Sequence, residues 1–230
     1  MSNKAWFFGD SFTFGDGCHV GYEYYEKYPE LREKTWTNLI SEKLNLEYVN
    51  KGISGNSNSY ILKQVIDNLN NFKSGDYIFL SDTLPVRLVY PNKKTKKIES
   101  LTTDIILWPE YNKHHGDVPL NEFLNTREER MVVIDFIHQS TMGNSKELVW
   151  SNYYNEQFDS IQSFLLSMGL EVYTWSYKLW NNSSKYEWIT KATKGKVEDG
   201  HWSWKGHNDF YMDFIKRIEK KEYKLKYPLI

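Results

Sequence analysis

The chain has 230 residues, 40% of them hydrophobic and 17% aromatic, with 29 basic against 30 acidic side chains and a single cysteine, Cys18. That composition excludes a disordered polymer, an internal disulfide framework and a cysteine-rich metal site. A formal charge of -1 supplies no global field for nucleic acid or an anionic membrane, so the partner it favours is a neutral or weakly charged small molecule.

The start, MSNKAWFFGDS, holds too few apolar residues before its aspartate for a signal peptide, and no later stretch reaches the ~20 apolar residues of a membrane span. The expected location is the cytoplasm, or a particle assembled there. A first strand is expected over Ala5 to Phe8, running into Gly9, Asp10 and Ser11. From Lys34 to Leu44, Trp36, Leu39, Ile40 and Leu44 recur at helical spacing and share one face. LEYVN then reads as a second strand ending at Asn50, and KGISGNSNS as a loop, because Gly, Ser and Asn compete with regular structure for backbone bonds.

YILKQVIDNLNNF places Ile61, Leu62, Val65, Ile66 and Leu69 on a second helical stripe, and SGDYIFLSD reads as a turn and a third strand. The stretch from Pro85 to Asn125 lacks sustained periodicity and reads as a long excursion at the strand ends, the kind of loop that forms a lid or a binding wall. Within it, His114, His115 and Asp117 read as a solvated loop in preference to a metal site, because adjacent histidines point in different directions. Helical period returns from Glu128 to His138 and from Asn155 to Met168, GLEVYTWS reads as a fourth strand, and an amphipathic helix runs from about His207 to Lys220. Apolar runs alternating with helical stretches predict one α/β domain over residues 1–230, its excursion at about 85–125, with a mostly parallel sheet and helices on both faces.

A serine after the first strand is a poor nucleophile by itself, since its hydroxyl needs a base and donors for the developing oxyanion. His201, in EDGHWSWKGH, is the candidate base, with Asp199 two and Glu198 three positions upstream as candidate orienting carboxylates. Asp199 is the preferred one. Parallel strands put both segments on one rim of the sheet. Trp202 and Trp204 flank this base and read either as walls of a substrate pocket or as core.

These segments resemble the SGNH (GDSL-type) hydrolase family. Gly9, Asp10 and Ser11 match its first block, Asn50 to Ser57 is similar to its second, and His201 followed by Gly206 and His207 matches the spacing of its last. The resemblance spans nearly the whole chain. It implies a flavodoxin-like three-layer sandwich and an ester hydrolase with Ser11 as nucleophile, His201 as base, Asp199 as orienting acid and the Gly55 N–H in the oxyanion hole. The family's substrates include acylated sugars, lipids and thioesters, and it needs neither metal nor organic cofactor. The expected partner is a small-molecule or glycan ester, and the aromatic-rich chain with no membrane segment points within that range to an O-acetyl group on a carbohydrate.

The third block of the family supplies an asparagine after the third strand, where this chain reads FLSDTLPVR. Thr83, Asn56 and Asn58 are the residues offered in its place as oxyanion or substrate contacts. A catalytically weak glycan- or protein-binding module and an acyltransferase using the same triad are the rival readings. Oligomeric state is left open.

Overall fold

Alternate residues of the first strand enter two different cores. The computed structural model describes residues 3–16, 34–83, 87–92, 97–101, 132, 144–176 and 201–223. Strand β1 (Lys4–Phe8) sends Ala5 and Phe7 to one face of the sheet and Trp6 and Phe8 to the other, and only Lys4 of the strand is partly exposed. A strand buried on both faces has to be apolar throughout, which is the sequence KAWFF almost literally.

The main sheet is four-stranded and parallel: β2 (Glu47–Asn50), β1, β3 (Tyr77–Ser81) and β6 (Glu171–Trp175), in that spatial order. The chain order reverses between β1 and β3, as in a flavodoxin-like doubly wound sheet. One face is covered by α2 (Trp36–Leu44) and α5 (Trp204–Glu219), the other by α3 (Asn58–Asp67) and α4 (Asn144–Ser167). Helix, sheet and helix form the three expected layers.

The first core joins Trp36 and Ile40 of α2 to Phe210, Phe214, Ile215 and Ile218 of α5 above Phe7, Phe79 and Tyr173. The second joins Ile61 and Val65 of α3 to Phe158 and Leu165 of α4 above Phe8, Ile78, Leu80 and Val172. Three caps set the helix starts: Thr35, Ser57 and Ser203 each accept from a backbone N–H three residues on, from Asn38, Tyr60 and Gly206.

Local details depart from the sequence expectation. Ile66, expected on the apolar stripe of α3, is 56% exposed, because the sheet receives Ile61 and Val65, one turn apart. Helix α4 begins eleven positions before Asn155, at Asn144. The excursion also contains regular structure: β4 (Leu88–Asn92) and β5 (Lys97–Leu101) pair antiparallel as a two-stranded ribbon. Residues 102–131, with His114, His115 and Asp117, lie outside the described residues, as does most of the helix expected from Glu128 to His138.

Candidate active site

The carboxyl ends of β1 and β3 meet at the point where the strand order reverses, where a doubly wound sheet opens a crevice for ligands. Ser11 follows β1 there and begins α1 (Ser11–Phe14), a single helical turn. Asp10 is its cap: its side chain accepts from Phe12 N, and its carbonyl accepts from Thr13 N and Phe14 N. The bond from Phe14 N is the first intrahelical one, and of the donors that precede it Asp10 takes up those of Phe12 and Thr13. Among the described residues nothing accepts from the N–H of Ser11. Ser11 itself is 3% exposed.

Two turns close around this one. Ile53 N and Asn56 Nδ2 both donate to Gly9 O, at 3.2 and 3.1 Å, so the 53–56 turn is bound to the strand exit directly before the serine. Asn56 N donates back to Ile53 O, and Gly55, third in that turn, has φ +72°, a value glycine adopts without steric cost. Gly9 has no room for a side chain, since a Cβ there would sit 2.1 Å from both Ser81 Oγ and Thr13 Oγ1.

The polar residues offered in place of the family's asparagine are all buried, and their side chains are engaged. The two N–H groups of Asn56 go to Gly9 O and Gln64 Oε1. Asn58 Nδ2 donates to Thr83 O at 2.9 Å while Thr83 N donates to Asn58 Oδ1 at 2.7 Å, and the Thr83 hydroxyl donates to Asp10 Oδ2 at 2.7 Å. With these bonds in place Asn56 and Thr83 have no side-chain donor left for a substrate oxygen, and Asn58 has one N–H remaining.

His201 reaches the same rim from the far end of the chain. Its ring centroid is 5.3 Å from that of Phe12, the neighbour of Ser11, and its Nε2 is 3.8 Å from Asp16 Oδ2. His201 is partly exposed, whereas Trp202 and His207 behind it are fully buried. Trp202 packs against Phe12, Trp175 and Phe210, so it belongs to the core. His207, on the first turns of α5, lies with Nε2 3.5 Å from Asp16 O and its ring edge-on to Trp202. Asp199 and Glu198 lie outside the described residues.

Two residues of this rim escaped the sequence reading. Asp16 contacts both histidines, one by carboxylate and one by carbonyl, and the only local signal was its place in a second Gly-Asp-Gly step after Gly9, Asp10 and Ser11. Arg87 pairs with Asp10, Nη1 to Oδ2 at 3.0 Å, from within the stretch read as irregular. No group of three or more His, Cys, Asp or Glu among the described residues is arranged to hold a metal ion.

No protein-family model matches the chain, and no curated protein matches it. Among solved structures it is similar to a member of the lipolytic G-D-S-L family from Veillonella parvula, with 14% identity and a TM-score of 0.40 over 95% of this chain and 100% of the other. It is also similar to a carbohydrate esterase, with 11% identity and a TM-score of 0.41 over 95% of this chain and 68% of the other. A phospholipase A1 from Streptomyces albidoflavus is a further likeness, with 12% identity and a TM-score of 0.36 over 97% and 78% of the two chains.

Proposed function

We propose that the chain is a serine ester hydrolase. One observation carries the reading: the hydroxyl-bearing turn at the switch point of the sheet has His201 packed against its next residue, Phe12, although the two segments come from opposite ends of the chain. In the reaction His201 takes the Ser11 proton as the hydroxyl oxygen attacks the ester carbonyl carbon. The tetrahedral oxyanion is held by the N–H groups of Ser11 and Gly55. Collapse breaks the bond to the alcohol oxygen, which leaves with the proton from His201. Water, deprotonated by His201, then cleaves the acyl-serine and releases the acid. Asp199 orients the imidazole.

Among the described residues nothing accepts from Ser11 N, while the N–H groups of Phe12, Thr13 and Phe14 all go to Asp10, which supports the oxyanion assignment. Phe14 and Ile53, 39% and 41% exposed, are apolar surface on the two turns that meet at Gly9, suited to the apolar side of a small ester. An O-acetyl group on a carbohydrate is the substrate to try first.

The test is hydrolysis of p-nitrophenyl acetate and of acetylated glycans by the wild type, Ser11→Ala and His201→Ala. Removal of either catalytic group is expected to lower kcat by about three orders of magnitude or more. A wild type that neither hydrolyses these esters nor is labelled at Ser11 by a fluorophosphonate would leave the binding module as the better reading.

A further inference from the structure

Beneath the serine turn lies an ion pair with almost no contact with water. Asp10 is fully buried and Arg87 is 8% exposed. One carboxylate oxygen of Asp10 accepts from Phe12 N, while the other accepts from the Thr83 hydroxyl and from Arg87 Nη1. The same Nη1 donates to Thr83 Oγ1 at 2.6 Å and to Asn56 O at 3.3 Å. A single guanidinium nitrogen therefore joins the segments that leave β1, β2 and β3.

Two physical consequences bear on the chemistry. Asn56 and Asp10 flank the turns carrying Gly55 and Ser11, so the bonds to Arg87 fix the spacing of the two N–H groups assigned to the oxyanion. A carboxylate buried next to a developing oxyanion would also oppose its formation, and a buried charge left alone is costly. Arg87 answers both. Resting on the serine hydrolase reading above, we infer that Arg87 is a positioning residue: it sets the geometry of the oxyanion donors through Asp10 and Asn56 and cancels the charge of Asp10, without touching the substrate. Lysine carries the charge on a shorter stem with its donors at one point, so it restores the second role better than the first.

The experiment compares fluorophosphonate labelling of Ser11 and p-nitrophenyl acetate kinetics in the wild type, Arg87→Lys, Arg87→Met and the double variant Asp10→Asn with Arg87→Met. Circular dichroism and thermal unfolding identify which variants are folded. Misplacing catalytic groups by on the order of 1 Å costs about a hundredfold, so folded Arg87→Met is expected to lose roughly that in kcat and labelling rate. Arg87→Lys should recover part of the loss, and KM should stay within about twofold because no substrate contact is removed. If Arg87→Met leaves Asp10 stranded and unfolds, the double variant, with neither charge, is expected to fold and remain slow.

Wild-type labelling and turnover in folded Arg87→Lys, Arg87→Met or the double variant would overturn the inference while leaving the hydrolase reading intact. So would a loss confined to KM. A wild type that is neither active nor labelled overturns the hydrolase reading, and the role of Arg87 falls with it.

Discussion

Asn58 and Thr83 read one another completely: the side-chain amide of Asn58 donates to the carbonyl of Thr83 and accepts from its N–H, and both residues are buried. Asn58→Ala strands a backbone donor and a backbone acceptor together, each worth about 1–3 kcal/mol when left unsatisfied. The expected result is a lower urea midpoint at unchanged m, with a loss of about 2 kcal/mol or more. Asn58→Asp should be at least as damaging, since it sets carboxylate oxygen against carbonyl oxygen and buries a charge. A loss within about 0.5 kcal/mol would mean that the bonds to Thr83 add nothing beyond what water can replace. The same pair shows why the sequence could nominate Asn56, Asn58 and Thr83 without assigning their bonds. An asparagine that locks a turn and one that faces a substrate are the same letter, and the deciding partner lies 25 positions away. Ser11 and His201 were nominated together because a nucleophile needs a base, and the structure brings His201 against Phe12, the neighbour of Ser11. Arg87 and Asp16 act through long-range pairs that no local spacing encodes.

At the scale of elements, α1 is a helical turn too short to be stable alone, so its position is imposed from outside. Trp36, the first residue of α2, supplies the restraint: its indole N–H donates to Phe12 O at 2.9 Å, and its ring packs edge-on to Phe7 and Phe210. Trp36→Phe keeps an aromatic ring but leaves the buried carbonyl of Phe12 without that donor and opens space in the first core. We expect a loss of about 1–3 kcal/mol in stability and, since α1 carries Ser11, a fall in kcat larger than any change in KM. Unchanged kcat in a destabilised Trp36→Phe protein would show that α1 holds its place without this bond. Trp36 was legible as the start of a helical stripe, because period 3.6 is a local property. The ribbon of β4 and β5 was not, because Pro91 and the lysine-rich stretch PNKKTKK break the sequence alternation that marks a strand. The segment from Asn144 to Tyr154 was also not read as helix, the sequence expectation having started at Asn155.

For the molecule as a whole, the alternation of apolar runs with helical stretches was enough to predict the doubly wound sheet, because each strand buried on both faces must be apolar throughout. What it could not assign was the use of so many aromatics, which serve packing and ligand stacking equally well. Among the described residues many of them build the two cores, and one group spans the rim opposite the site. Tyr77 opens β3 in register with Glu171 at the start of β6, Tyr173 stacks beside Tyr77, and the Tyr223 hydroxyl donates to Glu171 Oε2 at 2.8 Å. Burial, and then the charge of Glu171, raises the pKa of Tyr77 and Tyr173; for Tyr223 the hydrogen bond to Glu171 is the leading cause. A phenol with a raised folded pKa holds its proton more tightly folded than unfolded. Its contribution is therefore fully present below the unfolded value of about 10 and is lost as pH climbs from there through the folded value. Thermal stability should accordingly owe these phenols no pH dependence between about 7 and 9 and fall above about 10. Tyr173→Phe removes one titrating group and its contact with Ile218 O, so the variant should start slightly less stable and decline less steeply in alkali. Because this cluster lies at the amino ends of the strands and Ser11 at the carboxyl ends, the pH profile of ester hydrolysis should be the same in both proteins. An alkaline decline of equal slope in Tyr173→Phe would place its origin in other groups, and a displaced activity profile would mean that the two rims of the sheet are coupled.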